Sequence, residues 1–410
     1  MKILFSPCHY IFDSRFEGGE VSWAYNIAHR LALVFPGSLV VTGYNNDRGN
    51  PTSYQVIELQ LKQRYIDMSL RNAIKFNFSY FLETRRQIAR GDFDILHHVL
   101  PFGFNSTFNL FVLSNIKSKA FPTVIGPLQS PLGYADNEID TRNVRNTQPQ
   151  KKRLDVARIM QTVFALPLRF LSNLTLKKAA RIVVVNQYTK NLLMENNISG
   201  HKIVVIPPGI DTEHFQQTIP MQKPLQDIEI ITVNHLVKRK GIDLIIKAFN
   251  ILAQRYAHIT LKIIGDGRAK KDLERLVAQL NLKNRIVFYG HIPNHNVKNV
   301  YQKADVFVSM SRSESWGQVY LEAMACGLPI ISTKSVGSQS IIRDGVFGYL
   351  IEQEDIDGLA AKLAHLIENE QLRWQFGQAA RKEVEENYDW NNVIIPKYIE
   401  VYQELLRKCC

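Results

Sequence analysis

Cysteine is scarce in this chain of 410 residues, which contains only Cys8, Cys326, Cys409 and Cys410. These residues form no Cys-x-x-Cys pair, so the sequence excludes a disulfide-stapled protein and a zinc knuckle, and it favours a reducing compartment. No stretch approaches the ~18 apolar residues of a membrane-spanning helix. The apolar run Ile3–Phe5 is also too short for the core of a signal peptide. We therefore expect a cytoplasmic protein.

The motifs of several common enzyme classes are also absent. Neither half of the chain carries Gly-x-Gly-x-x-Gly after its first predicted strand, which argues against a nicotinamide or flavin enzyme. There is no Walker A sequence and no Gly-x-Ser-x-Gly elbow of a serine hydrolase. Asp92/Asp94 and Asp355/Asp357 have the spacing of a metal-binding Asp-x-Asp, but they lie at a strand entrance and a helix start. We interpret both pairs as structural.

Acidic residues are fewer than basic ones: 38 Asp and Glu against 50 Lys and Arg give a net charge of +12. Part of the excess lies between Arg142 and Arg181, where ten basic residues accompany one acidic residue. Such a cluster attracts phosphates, nucleic acid or an anionic membrane leaflet, and it is equally compatible with a solvated basic face. No nucleic-acid recognition module occurs, so we exclude a nucleic-acid partner.

Aromatic residues accumulate upstream of this basic cluster. Aromatic side chains beside cations are typical of an interfacial surface, although a set of this size is also typical of a core. The residues are Phe76, Phe78, Tyr80, Phe81, Phe102, Phe104, Phe108 and Phe111.

Short Val- and Ile-rich runs alternate with helix-period segments along the whole chain. Such runs predict parallel strands covered on both faces. The alternation restarts after a Pro-rich break from Pro207 to Pro224, which predicts an α/β protein with two doubly wound domains. We place these at residues 1–212 and 213–390. A last helix is predicted from Trp390 to Lys408, and we expect residues 391–410 to return to the first domain.

The predicted strands are Ile3–Phe5, Leu39–Thr42, Val56–Leu59, Ile95–Val99, Thr123–Ile125, Ile182–Val185, Ile203–Ile206, Ile228–Val233, Thr260–Ile264, Ile286–Tyr289, Val306–Ser309, Ile330–Ser332 and Gly348–Ile351. The predicted helices include Val21–Phe35, Ile242–Tyr256, Lys270–Leu280 and Asp357–Asn369.

The segment Ser313–Pro329 carries the densest functional signal. It follows a predicted strand and opens a helix that ends at a Gly-Leu-Pro turn. If that helix begins near Trp316 or Gly317, its first amides form an anion site suited to a diphosphate. Glu314 and Glu322 flank this site, and a carboxylate can accept two hydroxyl hydrogens from a sugar diol. The pattern predicts a sugar on each side of a diphosphate.

Two glutamates eight positions apart, in a helix that ends Ala-Cys-Gly-Leu-Pro, resemble the donor-site signature of family 4 glycosyltransferases. These are retaining enzymes of the GT-B fold, in which two Rossmann-like domains face a central cleft. The resemblance covers nearly the whole chain, and its C-terminal half is the more specific part. Further segments that resemble family motifs are Gly18-Gly19-Glu20, Ile206–Asp211, Asn234–Asp243, Ile263–Gly267, Val287–Pro293, Val336–Ser338 and Asp344–Gly348.

The resemblance implies a role for individual residues on the donor side. Glu322 matches the glutamate that grips the nucleotide ribose, and Glu314 matches the one that contacts the donor sugar. Lys240 matches the lysine that neutralises the diphosphate as the leaving group departs. The other donor-binding residues implied are Arg239, His235, Trp316, Gly317, Gln318, Val319, Gly265, Gly267, His291 and Ile292.

This chain departs from the family pattern at the phosphate loop and at one strand of the first domain. It has Asn234-His235 where Gly-Arg is usual, and Arg239 is the nearest substitute for the missing arginine. Relatives carry a His-x-His with one histidine near the reacting carbon, whereas this chain has His97-His98. Neighbours on a strand point to opposite faces, so at most one enters the cleft. The catalytic candidates are Glu314, Lys240 and one of the two histidines. We favour His97 over His98, and a structural histidine is the alternative.

The acceptor pocket is expected at strand-end loops of the first domain. These loops contain Gly18, Gly19, Gly126 and Gln129, with the two histidines beside them. The acceptor implied is a hydroxyl of a glycan or of a lipid-linked glycan, as in polysaccharide biosynthesis. An anionic membrane surface that binds Arg142–Arg181 would make the enzyme peripheral to the inner face of the membrane.

The function implied is that of a retaining hexosyltransferase that uses a UDP-sugar, or next a GDP-sugar, as donor. The acceptor hydroxyl enters on the face that the leaving phosphate departs from, and that phosphate takes the hydroxyl's proton. No metal or other cofactor is expected, because Lys240 and the helix amides offset the diphosphate charge. The alternatives are a sugar-nucleotide isomerase of the same fold and a non-catalytic nucleotide-sugar binder.

Overall fold

The structure of the protein is a computed structural model. It describes residues 1–9, 11–13, 19–46, 53–59, 70–91, 93–99, 109–114, 121–130, 169–216 and 228–407, without the side chains of residues 70–74 and 294. The chain divides into two compact units. The first comprises Met1–Ser14, Ala24–Ile206 and Ile399–Cys410, and the second comprises Arg15–Trp23 and Pro207–Tyr398.

The first unit is built on a parallel sheet of seven strands. The strands are β1 (Ile3–Cys8), β3 (Leu39–Thr42), β5 (Gln55–Glu58), β6 (Ile95–Val99), β7 (Thr123–Leu128), β8 (Arg181–Val184) and β9 (Ile203–Val205). Their order is β5-β3-β1-β6-β7-β8-β9. Two further short strands, β2 (Ile11–Phe12) and β4 (Tyr44–Asn45), pair with each other.

Helices cover this sheet on both faces. They are α1 (Gly19–Val34), α2 (Leu70–Arg90), α3 (Leu110–Ser114), α4 (described over residues 169–178), α5 (Gln187–Glu195) and α13 (Ile395–Arg407). One core cluster joins Leu4 and Leu96 of the sheet to Phe76 and Tyr80 of α2. Burial on both faces explains why the strands are continuous apolar runs rather than alternating ones.

The second unit contains a parallel sheet of six strands. They are β10 (Ile228–Val233), β11 (Ile259–Ile264), β12 (Ile286–Gly290), β13 (Val306–Ser309), β14 (Ile330–Thr333) and β15 (Gly348–Ile351), in the order β12-β11-β10-β13-β14-β15. Its helices are α6 (Ile242–Ala253), α7 (Lys270–Gln279), α8 (Asn294–Tyr301), α9 (Gln318–Ala325), α10 (Val336–Ile341), α11 (Ile356–Glu368) and α12 (Glu370–Asn387).

The prediction of two doubly wound α/β domains with parallel sheets is confirmed. Every strand of the two large sheets overlaps a predicted strand, and Val306–Ser309 has the predicted bounds. None of the described helices combines the length and the apolar composition that crossing a membrane requires.

A helix begins at Trp390, as predicted, and continues to Arg407, but its first turn is not α-helical. Residues Trp390–Ile394 form a π-helical turn, and the α-helix begins at Ile395. The side chain of Asp389 accepts a hydrogen bond from the Asn392 amide at 2.7 Å, and the Ile394 amide reaches the Asp389 carbonyl. Because an i to i+5 bond is wider than an α-helical one, this turn has a different pitch from the helix that follows.

Candidate functional site

The strand order of the second unit determines where its loops can bind a ligand. β10 and β13 are neighbours, with Ile230 opposite Val306, and the order of connection reverses between them. In open parallel sheets, ligands bind at the carboxyl ends of the strands at such a switch point. The loops that leave these two ends are residues 234–241 and 310–317, and they contain six of the thirteen residues predicted to bind the donor.

Glycines let the loop of residues 234–241 approach its two neighbouring loops backbone to backbone. Gly241 has φ +63, and a Cβ there would lie 2.0 Å from the carbonyl oxygen of Met310. Gly265, in the loop after β11, has φ +125, and its Cβ would lie 1.8 Å from the Asn234 carbonyl oxygen. Side chains are therefore excluded at both positions. Gly267 repeats the arrangement against the Leu236 carbonyl oxygen, at 2.4 Å.

Lys240 and Glu314 come from different loops and form an ion pair. Nζ of Lys240 lies 2.5 Å from Oε2 of Glu314, and each side chain is only 13% exposed. Burial alone would raise the pKa of Glu314. The charge and hydrogen bond of Lys240 outweigh it, with help from Arg239 and the Trp316 amide, so the pKa is lowered and the carboxylate is ionised at neutral pH.

Arg312 ties the same two loops together, and sequence reasoning did not find it. Its guanidinium donates to both carboxylate oxygens of Asp243 at 3.2 Å and to Glu354 at 2.6 and 3.1 Å. Its backbone amide donates to the Arg239 carbonyl at 2.8 Å, and Nη1 donates to the Lys238 carbonyl at 2.5 Å. The only signal in the sequence was its position, two residues before Glu314 and just after a strand.

Arg239 was expected to replace the missing phosphate-binding arginine. In the structure its Nη1 donates to the backbone carbonyl of Ser313 at 2.6 Å, so part of the guanidinium joins one loop to the other. His235, from the same loop, is exposed.

The start of α9 has the geometry expected of an anion site. Gly317 precedes the helix with φ +91, and α9 begins at Gln318. The amides of Gln318 and Val319 belong to the first turn, where backbone N–H groups have no partner within the helix. The Trp316 amide hydrogen-bonds the Glu314 carboxylate, which links this turn to the ion pair. The Trp316 side chain itself is buried, with an exposure of 2%.

Glu322 lies inside α9 and is buried, with an exposure of 7%. The hydroxyl of Tyr301, the last residue of α8, donates to its Oε2 at 2.9 Å. Burial raises the pKa of Glu322 to about 7, and the Tyr301 hydrogen bond acts in the opposite direction. Sequence reasoning did not find Tyr301, because a tyrosine at a helix end carries no motif.

The remaining donor-side residues occupy the same edge of the sheet or the helix start. His291 and Ile292 lie in the loop after β12, the first exposed and the second half-buried. Gln318 is engaged by other residues of the second unit: its Nε2 donates to the Gly209 carbonyl at 2.9 Å, and its Oε1 accepts from Nε1 of Trp23 at 3.1 Å.

The structure does not support the expectation that His97 presents a ring nitrogen to a ligand. His97 is fully buried; its Nε2 donates to the Gly126 carbonyl at 3.0 Å, and its Nδ1 accepts from the Tyr402 hydroxyl at 2.7 Å. His98 is also fully buried, and its Nδ1 accepts from Asn109 at 2.9 Å. Burial lowers the pKa of each histidine to about 3, so both are neutral. They point to opposite faces, as expected, but both faces are covered.

The predicted acceptor residues are placed differently from the expectation. Gly126 lies inside β7 rather than in a loop, because β7 continues to Leu128; a Cβ on Gly126 would lie 2.2 Å from the Val183 carbonyl oxygen. Gln129 follows the strand and is half-buried. Gly19 is the first residue of α1, with φ +62, and Gly18 lies outside the described residues.

The aromatic residues divide between core and surface. Phe76, Tyr80 and Phe111 are buried in the first unit, Phe81 packs against the same core, and Phe78 is 55% exposed. Phe102, Phe104 and Phe108 lie outside the described residues.

Of the basic cluster, residues 142–168 lie outside the described part of the chain, and residues 169–181 lie within it. Arg169, Lys177 and Lys178 are exposed. Arg181 does not belong to a surface cluster: it is 7% exposed and pairs with Glu404 of α13 at 3.4 Å.

The acidic pairs are structural where the structure describes them. Asp355 caps α11 by accepting a hydrogen bond from the Gly358 amide at 2.8 Å. Asp94 accepts a hydrogen bond from the Lys2 amide at 2.7 Å, and Asp92 lies outside the described residues. Within the described residues, no three His, Cys, Asp or Glu side chains form a group that could hold a metal ion.

Two family models match the chain. The model described as "Glycosyl transferases group 1" matches residues 212–383, and the model described as "Glycosyltransferase Family 4" matches residues 154–214. Among curated proteins, the GDP-mannose-dependent alpha-(1-6)-phosphatidylinositol monomannoside mannosyltransferase of Mycolicibacterium smegmatis is 26% identical over 223 residues. Those residues are 51% of this chain and 58% of that protein. The chain spans between 46% and 61% of the length of four curated relatives that it matches, this one included.

Solved structures share the fold over nearly the whole chain. Sucrose-phosphate synthase from Thermosynechococcus elongatus has a TM-score of 0.70 at 19% identity and covers 99% of each chain. Anabaena HepE in complex with UDP and glucose has a TM-score of 0.64 at 18% identity, over 98% of this chain and 99% of that one. The predicted GT-B fold is thereby confirmed.

Proposed function

The chain belongs to family 4 of the glycosyltransferases, and from that premise we propose that it transfers a sugar from a nucleotide-diphosphate sugar to a hydroxyl group. The observation that carries the proposal is the arrangement at the carboxyl ends of β10 and β13. Lys240 and the first amides of α9 supply positive potential for a diphosphate. Glu314 and Glu322 lie on either side of that helix start and can accept sugar hydroxyls.

We propose that the reaction retains the anomeric configuration by same-face substitution. The bond between the acceptor oxygen and C1 forms as the bond between C1 and the phosphate oxygen breaks, and the acceptor proton passes to the departing phosphate. Lys240 stabilises the negative charge that develops there. The contact with Lys240 supports a role for Glu314 in holding the donor sugar rather than in nucleophilic attack.

We propose a UDP-sugar as the donor, with a GDP-sugar as the second choice. The Anabaena neighbour holds UDP and glucose, and the mycobacterial relative is named for GDP-mannose. His291 and Ile292, in the loop after β12, are the proposed contacts of the base. The diphosphate charge is balanced by Lys240 and the α9 amides, so the proposed reaction uses no metal ion or other cofactor.

We propose that the acceptor is a glycan or lipid-linked glycan at the inner, anionic face of a membrane. Two exposed sets of side chains in the first unit support this. Phe170 is 65% exposed beside the exposed Arg169. On α2, Phe78 and Leu82 are 55% and 49% exposed one turn apart, and Arg85 follows them on the surface. Apolar side chains flanked by cations suit an anionic interface.

Vesicle flotation tests the membrane proposal. The protein should float with vesicles that contain phosphatidylserine at low salt, should not float with neutral vesicles, and should be released by high salt. Phe78→Ser/Leu82→Ser should float less than the wild type. Tyr188→Ser, which removes a 47% exposed aromatic from α5, is the matched control. Wild-type protein that stays in the soluble fraction at low salt would overturn this part of the proposal.

The function itself is tested by thermal shift with UDP-, GDP- and ADP-sugars, followed by product analysis. A donor at 100 times its dissociation constant should stabilise the protein by about 2.7 kcal/mol. Slow release of UDP and free sugar without an acceptor marks an active transferase. A shift without turnover indicates a non-catalytic binder, and an isomerised nucleotide sugar indicates an isomerase. No shift with any of the sugars would overturn the proposal.

A further inference from the structure

We propose that Tyr301 is a positioning residue for the donor: its hydroxyl holds the Glu322 carboxylate in the orientation that accepts the ribose hydroxyls. This inference rests on the proposed function, because it assigns Glu322 to the nucleotide ribose. The Tyr301 hydroxyl lies 2.9 Å from Oε2 of Glu322. Tyr301 itself is fully buried, so no part of its ring reaches a ligand.

The tyrosine is held in place by packing from two further elements. The ring of Phe307, in β13, lies 6.0 Å from the Tyr301 ring, and the ring of Phe215 lies 6.3 Å away in an edge-on arrangement. A buried aromatic ring between two others has little freedom to rotate. The hydroxyl therefore has a fixed position against which the flexible Glu322 side chain is oriented.

The hydrogen bond leaves half of the carboxylate for a ligand. Among the described residues, Oε2 of Glu322 receives the Tyr301 hydroxyl, and no hydrogen bond to Oε1 is found. An ionised carboxylate can accept several hydrogen bonds, whereas a protonated one gives up an acceptor site to its own proton. Tyr301 is thus expected to fix the geometry of Glu322 and also to favour its ionised form.

The charged surroundings of Glu322 come from three helices. The thiol of Cys326, which follows the last residue of α9, interacts electrostatically with Glu322. Lys298 of α8 and Arg381 of α12 act electrostatically on the same thiol. The buried thiol is neutral at neutral pH, because burial raises its pKa to about 12. The hydrogen bond that acts directly on Glu322 comes from Tyr301.

The test compares Tyr301→Phe with the wild type from pH 5.5 to 9, using UDP alone as the probe in titration calorimetry and a UDP-sugar in kinetics. At pH 7 the dissociation constant of UDP and the KM of the donor should rise about tenfold, because a hydrogen bond to a charged group is lost. The kcat should change less than twofold. The acid limb of the binding profile should move about one pH unit upward, because the carboxyl group becomes harder to ionise.

Two controls separate this role from a general loss of packing. Tyr256→Phe removes a similar hydrogen bond, which the Tyr256 hydroxyl donates to Glu368 at 2.5 Å. Tyr256 lies just before β11, at the edge of the same sheet that is opposite to the site. It should leave UDP binding and its pH profile unchanged. In a Glu322→Gln background, Tyr301→Phe should no longer move the pH profile.

The outcomes distinguish failure of this inference from failure of the proposed function. Wild-type protein that binds UDP, together with a Tyr301→Phe variant whose affinity and pH profile are unchanged, overturns the role of Tyr301 and leaves the function intact. Wild-type protein that binds no nucleoside diphosphate overturns both. If Tyr301→Phe does not fold, an unchanged pH profile of UDP binding in Glu322→Gln overturns the inference by itself.

Discussion

Nζ of Lys240 lies 2.5 Å from Oε2 of Glu314, and the two side chains are buried to the same extent, at 13% exposure. The two residues are 74 positions apart and belong to loops that leave neighbouring strands. In the proposed function, one binds the diphosphate and the other the sugar. Before a donor arrives each neutralises the other, so binding requires Lys240 to divide its charge between Glu314 and the phosphate.

We predict that Lys240→Met destabilises the protein as well as abolishing donor binding. The substitution leaves the Glu314 carboxylate buried without its main cation, which should cost about 2 kcal/mol at neutral pH. Glu314 has a lowered pKa in the wild type, so its contribution to stability is present above the unfolded-state pKa of about 4.3 and is lost as the pH falls through the folded-state value. Urea unfolding at pH 4 and pH 7.5 should therefore show a larger difference between the proteins at the higher pH.

The double variant Lys240→Met/Glu314→Gln is the control for this prediction. Removing both charges should restore most of the stability, because no unpaired charge remains, yet UDP should still cause no thermal shift. If Lys240→Met were destabilised equally at both pH values, loss of the ion pair with Glu314 could not be the cause of the destabilisation.

We predict that Glu322→Gln becomes more stable relative to the wild type as the pH rises. The pKa of Glu322 is raised to about 7, so the folded protein retains this proton over a range in which the unfolded chain has lost it. Stability of the wild type therefore falls between about pH 4.3 and pH 7, by about 4 kcal/mol if this group acts alone. Glutamine has no such titration. Thermal unfolding of both proteins at pH 4.5 and pH 8 measures how the difference in their stability changes with pH. A difference that stays constant would contradict the prediction.

The fold was predictable because its determinants are local. Leu39–Thr42 and Val306–Ser309 are apolar runs buried on both faces, and their predicted bounds match the structure. The π-helical geometry of the turn at Trp390 was not predictable, because it depends on hydrogen bonds to Asp389, whereas the apolar spacing of the segment indicates only a helix.

The site could be predicted only for the residues that belong to a motif. The resemblance assigned Lys240 and Glu314 separate roles, but no sequence pattern reports a contact between residues 74 positions apart. Arg312 and Tyr301 act through other residues and belong to no motif. For His97, alternation along the strand correctly predicted opposite faces for the two histidines. The prediction returned the last helix to the first domain, but it did not place Tyr402 of α13 over the face to which His97 points.

We predict that Gly241→Ala disrupts the loop that carries Lys240. A Cβ at this residue would lie 2.0 Å from the Met310 carbonyl oxygen, and φ is +63, so the loop must move away from its neighbour. The cost should be about 3 kcal/mol or more, with loss of UDP binding. Gly345→Ala is the matched control: φ is +73 but nothing lies within 4 Å, so only the backbone cost of about 1 kcal/mol applies. Equal effects of the two variants in urea unfolding would exclude the close approach as the cause.

We predict that Arg312→Lys weakens donor binding although it keeps the charge. The guanidinium contacts both oxygens of Asp243 and both oxygens of Glu354, while its own backbone amide bonds the Arg239 carbonyl beside Lys240. A lysine ammonium cannot reproduce these paired contacts, so the Lys240 loop should lose its fixed position.

The KM of the donor should rise about tenfold, equivalent to about 1.4 kcal/mol, with a smaller change in kcat. Arg275→Lys, which alters an exposed pair with Asp272 within α7, should have no effect on either constant. If steady-state kinetics gave the same KM for Arg312→Lys, Arg275→Lys and the wild type, the contacts of Arg312 would stabilise the fold without setting the position of Lys240.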